Sequence, residues 1–160
     1  MLTFQEVKAG EKVRWESWVA IVATQSSVLR ILIVVSPERR KEIARQLAPL
    51  HAVLVFVSHR GETAQTIHED DVFQVALLPA TLSDTDWWGL WGVMGLLNRP
   101  PAILVYTREA TFQLWSGVLE SGGYDLLVEP FSDEELQGAV LRAAKSFDEK
   151  NSNGIERERA

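Results

Sequence analysis

The sequence predicts an α/β domain: a doubly wound, five-stranded parallel sheet with helices on both faces. Three observations predict it. At 160 residues the chain has the length of one domain. From Leu29 onward, five short runs are largely apolar rather than alternating, as expected of strands buried on both faces. Between these runs lie stretches with helix start and stop signals, and strands that alternate with helices build parallel βαβ units.

Residues 1–28 form an N-terminal extension. Val13, Trp15, Ser17, Val19 and Ile21 alternate with Arg14, Glu16 and Trp18, which reads as a strand. A helix starting near Glu11 is the alternative. Gln25-Ser26-Ser27 reads as a linker.

The domain proper spans 29–148. Leu29 to Val35 (LRILIVV) is the first strand. Ser36-Pro37-Glu38 opens a helix, with Ser at the N-cap and Pro at the first helical position. That helix runs to about Leu47 and turns Ile43, Ala44 and Leu47 inward. His51 to Ser58 is the second strand, and Arg60 to about Glu69 is a short helix burying Ala64 and Ile67. Phe73 to Leu78 is the third strand, ended by Pro79. Asp84 to Leu97 is a helix stopped by Asn98-Arg99-Pro100-Pro101. Ala102 to Thr107 is the fourth strand. Glu109 to Glu120 is a helix closed by Gly122-Gly123, and Tyr124 to Val128 is the fifth strand. Ser132-Asp133-Glu134-Glu135 is a capping box that opens a last helix to about Phe147. Residues 149–160 are polar and are expected to be a disordered tail. Five strands and five helices in this order specify a flavodoxin-like fold.

Composition removes several function classes. With no cysteine, disulfide scaffolds, thiolate catalysis and Cys-ligated metals are excluded. A net charge of −6 disfavours a nucleic-acid surface, which needs clustered Lys and Arg. No apolar run approaches a membrane span. The nearest signal-like stretch, Trp18 to Ala23, is too short and follows Glu11 and Glu16, so a cytoplasmic location is expected. His51, His59 and His68 are scattered without a metal-pair spacing, and Glu69-Asp70-Asp71 reads as a solvated turn. There is no Gly-rich phosphate loop and no nucleophile elbow. The expectation is a protein that is not an enzyme and has no cofactor and no metal.

In a doubly wound sheet, ligand sites lie at the carboxyl ends of the strands, near the switch in strand order. Those ends here are Val35-Ser36, Pro79-Ala80, Thr107-Arg108 and Glu129-Pro130. In order and spacing they resemble the receiver (CheY-like) domain of two-component response regulators, from about Leu29 to Phe147. Ile31-Leu-Ile-Val-Val-Ser-Pro-Glu-Arg39 is similar to the first strand and acidic-pair segment. Phe73-Gln-Val-Ala-Leu-Leu-Pro79 is similar to the strand that delivers the phosphoacceptor aspartate. Asp86 falls where the Met-Asp-Gly turn has its aspartate. Ala102-Ile-Leu-Val-Tyr-Thr107 ends on the family's Thr/Ser. Gly122-Gly-Tyr-Asp-Leu-Leu-Val-Glu-Pro-Phe131 is similar to the segment ending in Lys-Pro-Phe.

The resemblance implies a five-part site: two acids for Mg²⁺, an acceptor aspartate, a lysine and a hydroxyl, since phosphoryl transfer runs on positioning and charge neutralisation. In this sequence the acidic pair falls on Val35 and Ser36, the acceptor on Pro79 and the lysine on Glu129. Thr107 alone is retained, and the aromatic switch position falls on Leu126. Asp84, Asp86 and Glu129 are the nearby acids left to gather a cation. The resemblance also implies a cis Glu129-Pro130 bond; a plain turn proline before the capping box is the alternative.

The helix over Asp84–Leu97 is the most unusual segment. Trp87, Leu90, Trp91, Met94 and Leu97 make one apolar stripe, with Trp88 on its flank and Gly89, Gly92 and Gly95 leaving a bare strip. Such a helix fills the core or offers an interface, for which Trp is well suited. On the next helix Phe112, Trp115 and Leu119 share a face. The functional expectation is therefore a degenerate, non-phosphorylated pseudo-receiver, an interaction adaptor in a two-component-type bacterial pathway. Its vestigial pocket is Val35, Ser36, Pro79, Thr107 and Glu129, and its candidate interface is Trp87, Trp88, Trp91 and Trp115. Protein partners and a homodimer are expected, and neither nucleic acid nor membrane. The alternative is a small-molecule-sensing module that uses the apolar crevice at the strand ends.

Overall fold

The computed structural model of the chain describes residues 28–80 and 84–159. The N-terminal extension, except Val28, lies outside the described residues. Strand β1 (Arg30–Val34) leads through a 3₁₀ turn (Pro37–Arg39) into α1 (Arg40–Leu47), and a second 3₁₀ turn (Ala48–Leu50) leads to β2 (Val53–Val57). Then come α2 (Arg60–Thr66), β3 (Val75–Pro79), α3 (Asp84–Gly95), β4 (Ala102–Thr107), α4 (Phe112–Glu120), β5 (Asp125–Val128) and α5 (Asp133–Arg159). The sheet order is β2-β1-β3-β4-β5, and every neighbouring pair is parallel. This is the doubly wound, flavodoxin-like architecture the sequence predicts. The chain winds outward from β1 to β2 and then reverses past β1 to β3, which puts the switch point between β1 and β3.

The strand period of two divides the core into two layers. Ile31, Ile33, Val75, Leu77 and Leu104 face α1 and α5, where they meet Ile43, Leu47, Leu136, Val140 and Ala143. Leu32, Val34, Ala76, Leu78, Ile103 and Val105 face the other way, onto Ile67, Leu90, Met94 and Val118. Both faces are covered, so the strands read as unbroken apolar runs. Among the described residues no helix is long and apolar enough to cross a membrane.

Several boundaries differ from the sequence reading, each for a local reason. Ser36 holds the N-cap position without a side-chain bond, and the first turn winds as 3₁₀. Gln46, not Ala44, joins Ile43 and Leu47 in the buried set of α1; its amide donates to the Phe131 carbonyl at 3.3 Å. On α2 the buried residue is Thr63 rather than Ala64, because its hydroxyl donates back to the His59 carbonyl at 2.9 Å and is satisfied there. His59 itself caps this helix, its Nδ1 accepting from the Glu62 N–H at 3.2 Å. Helix α4 starts at Phe112 rather than Glu109, where the Thr111 hydroxyl accepts from the Leu114 N–H at 3.1 Å. The Ser132–Glu135 capping box forms with both reciprocal bonds, at 3.1 and 3.2 Å. The last helix does not stop near Phe147, so the tail expected over 149–160 is helix as far as Arg159. Polarity marked that stretch as exposed, but it has no proline, and Glu149, Lys150, Glu156, Arg157, Glu158 and Arg159 are good helix formers.

The α4–β5 turn depends on two glycines. The Gly123 N–H donates to the Val118 carbonyl and the Gly122 N–H to the Leu119 carbonyl, a Schellman closure with Gly122 at φ +92°. A Cβ on Gly123 would stand 2.5 Å from Val118 Cγ1 and 2.8 Å from the Val118 carbonyl oxygen, whereas one on Gly92 would meet nothing within 4 Å. Gly123→Ala is therefore expected to destabilise the fold by about 1–3 kcal/mol. Gly92→Ala is expected to stabilise it by about 0.5–1 kcal/mol through helix propensity. Urea unfolding of the two variants reads both signs.

Candidate functional site

The strand ends named from the sequence converge. Val35 and Ser36 follow β1, Pro79 closes β3, Thr107 closes β4 and Glu129 follows β5. Ladder bonds run one residue beyond the strands and fix these positions. Val35 N–H donates to the Val57 carbonyl at 2.9 Å, Ala80 N–H to the Tyr106 carbonyl at 2.9 Å and Glu129 N–H to the Thr107 carbonyl at 2.7 Å. The Glu129–Pro130 peptide is cis.

Val35, Ser36, Pro79 and Glu129 line a crevice of about 440 Å³ together with Arg39, Ser58, Tyr106 and Arg108. Thr107 does not line it. Its hydroxyl is turned back on its own loop, donating to the Glu109 carbonyl at 3.1 Å and accepting from the Glu109 N–H at 3.3 Å. A second depression of about 420 Å³ shares Arg39, Arg108 and Glu129 with the first and continues towards Pro130 and Phe131.

Tyr106 closes the floor. It pairs in register with Pro79, and its hydroxyl donates to the Val34 carbonyl at 2.8 Å. Because β3 lies between β4 and β1, the phenol spans the switch point. Its pKa is pushed up to about 12, first by burial; nearby Glu129 adds to the rise and Arg39 opposes it. Above the floor lies an ion-pair group. Glu129, only 11% exposed in its side chain, pairs through Oε1 with Arg39 Nη2, and its Oε2 is 3.7 Å from Arg108 Nε. The Arg39 guanidinium also sits 5.5 Å from the Tyr106 ring centre, a cation–π contact. Beside it, Arg40 Nη2 donates to Ser58 Oγ at 2.7 Å, and Ser58 N–H donates to Glu62 Oε2 at 2.9 Å.

Sequence reasoning missed Arg39, Tyr106, Arg108 and Ser58. A signal existed for the first three. Arg39 and Arg108 stand just past strand ends that the sequence marks as the site, and a tyrosine inside an apolar strand needs a hydroxyl partner. Of the acids considered for a cation, Glu129 is tied to Arg39, while the side chains of Asp84 and Asp86 lie outside the described ones. Leu126, at the expected switch position, packs against the α2–α4 side of the core.

Comparison with solved structures decides the fold assignment. A CheY-like response regulator receiver domain protein from Methanospirillum hungatei superposes with a TM-score of 0.66 at 19% identity, covering 78% of this chain and 99% of that one. The chain has the fold of a response regulator receiver domain. The receiver domain of a sensor histidine kinase from Pseudomonas aeruginosa, described with magnesium in its active-site cleft, gives 0.61 at 21% identity over 74% and 99%. A structure described as an adenylate cyclase from Rhodopirellula baltica gives 0.72 at 16% identity over 83% and 99%. No family model and no curated protein matches the sequence.

On this receiver fold the candidate interface residues part company. Trp91 packs against the core under α3, with its ring reaching the Gly123 turn. Trp115 is 45% exposed and lies 6.2 Å from the ring of Phe112, itself 77% exposed. The side chains of Trp87 and Trp88 lie outside the described ones.

Tyr106→Phe isolates the contribution of the phenol hydroxyl. Losing one buried hydrogen bond is expected to cost about 1 kcal/mol at neutral pH. The raised pKa sets the sign in alkali. Stability from keeping the phenol neutral is complete below its ordinary value near 10 and is lost as pH climbs towards about 12. Chemical denaturation between pH 8 and 12 should therefore show the wild type losing its advantage over the variant across that window.

Proposed function

We propose that this protein is a pseudo-receiver: a receiver-fold domain that is not phosphorylated and works by protein–protein contact, as a homodimer, in a two-component-type bacterial pathway. The observation that carries this reading is Pro79. It is buried at the carboxyl end of β3, where the resemblance places the phosphoacceptor, and it has no nucleophile. Val35 and Ser36 stand where Mg²⁺-binding acids are implied, and Val35 offers no oxygen ligand. Glu129 stands where a lysine is implied and is held by Arg39. A site of this composition lacks the acceptor carboxylate, the pair of metal-binding acids and the lysine that the resemblance implies for phosphoryl transfer.

The test is treatment with acetyl phosphate and Mg²⁺ followed by intact mass measurement. No phosphoryl adduct is expected, and an acid-labile aspartyl phosphate on this chain overturns the reading.

The contact surface is assigned to α4 and the β5 edge. Phe112, Trp115 and Leu119 form one exposed stripe on α4, and Val128 on β5 is 45% exposed. A stripe of two aromatics and a leucine is unusual for a surface free of partners, and a symmetric pair of copies covers it most simply. The alternative cover is the N-terminal segment, with Trp15 and Trp18. The −6 charge supports protein rather than nucleic-acid partners.

Light scattering on the full chain is expected to give a dimer, and Trp115→Glu to weaken it by roughly tenfold or more. A full-length monomer at high micromolar concentration rules out the dimer. Association gained only when the chain starts at Val28 assigns the stripe to an intramolecular cover.

A further inference from the structure

Among the described side chains, two guanidinium groups and one carboxylate line the crevice at the strand ends of a protein that is acidic overall. Among its described side chains, the guanidinium groups of Arg39 and Arg108 face one carboxylate, Glu129, one on each oxygen. Arg40 stands behind Ser58, balanced at 3.7 Å by Glu62. Arg40 and Glu62 offset each other and Glu42 lines the adjoining depression, so cations outnumber carboxylates at the lining of the crevice itself, two to one, while the chain as a whole carries −6. Among the described residues Arg108 is held only by the 3.7 Å approach to Glu129, and its side chain is 81% exposed, so most of its donors have no partner there. Ser58, which lines the crevice, accepts from Arg40 through Oγ, and its own O–H remains available as a donor. Beneath these groups the floor is apolar: Val35, Pro79 and the ring of Tyr106.

We infer that this crevice binds a small organic oxyanion, a carboxylate or phosphate head on an apolar or aromatic body. The head takes Arg108 and the outward edge of Arg39, whose planar forks match such groups in pairs of hydrogen bonds. The body rests on Pro79 and Val35. A volume of about 440 Å³, beside a depression that shares Arg39, Arg108 and Glu129 in its lining, suits a metabolite-sized ligand. Glu129 is the internal stand-in: its carboxylate occupies the two arginines until a ligand head competes for them. The ligand is held without covalent chemistry, so the site needs neither the nucleophile nor the metal that the strand ends lack. This inference is independent of self-association, which uses the α4 surface.

The experiment is calorimetric and thermal-shift titration of the full chain with inorganic phosphate, phenyl phosphate and benzoate, at ionic strength matched with sodium chloride. Saturable binding is expected for phenyl phosphate or benzoate and to be tighter than for inorganic phosphate, because the body adds apolar contact. The better of the two organic probes identifies the head. Arg108→Gln, at an exposed position that leaves the core untouched, is expected to weaken binding by roughly tenfold. Glu129→Gln is expected to tighten it by a similar factor, since the competing charge is gone. Saturable binding that is tighter for the organic probes than for inorganic phosphate separates a built site from general attraction to a basic surface, which tracks charge alone. No saturable response in either the wild type or Glu129→Gln overturns the inference. So does binding that is unchanged in Arg108→Gln.

Discussion

A parallel sheet covered on both faces has room for polar chemistry only at its strand ends. In this protein Ile31 through Val34 and Val75 through Leu78 are buried almost completely, and their side chains alternate between two apolar layers. An unpaired charge placed there would be far from water and costly. The chain therefore gathers its charged and hydroxyl groups where β1, β3, β4 and β5 end. Short parallel ladders and a switch in winding direction bring those ends to one place.

The groups gathered there follow an electrostatic logic of their own. The β1 end carries a cation, Arg39, and the β5 end carries an anion, Glu129, and each satisfies the other. Tyr106 joins β4 to β1 across the proline that ends β3. Together they hold the strand ends to one another with side chains of this chain alone. Each of these three groups has a local partner, as buried polarity requires. The outer rim differs, because Arg108 there retains donors that nothing among the described residues takes up.

The surface has a similar division of labour. The stripe on α4 is exposed because Val118 is the helix's one fully buried residue, and the Gly122–Gly123 closure ends the helix after nine residues. A helix so short turns only part of its apolar set towards the sheet. The aromatic residues left over lie on the outer face, next to β5, the edge strand of the sheet among the described residues.

The sequence by itself determined the fold. Apolar runs, caps and glycine closures act over a few residues, so the pattern places β4 to the residue and marks the capping box at Ser132 that the structure forms. Because strand ends define the site in this architecture, chain order alone groups Val35, Ser36, Pro79 and Glu129, and the crevice contains all four. What the sequence does not carry is direction and partnership. Thr107 belongs to the site by position, but its hydroxyl turns onto Glu109. Trp91 and Trp115 look equivalent on their helices, yet one lies against the core and the other faces outward. Arg39 pairs with Glu129 from the far end of the domain, and Tyr106 reaches Val34 across another strand. Such pairings depend on which side chains the folded sheet brings within a few ångströms. Only the tertiary structure decides that, because local sequence patterns set the backbone but not the distant groups that meet above it.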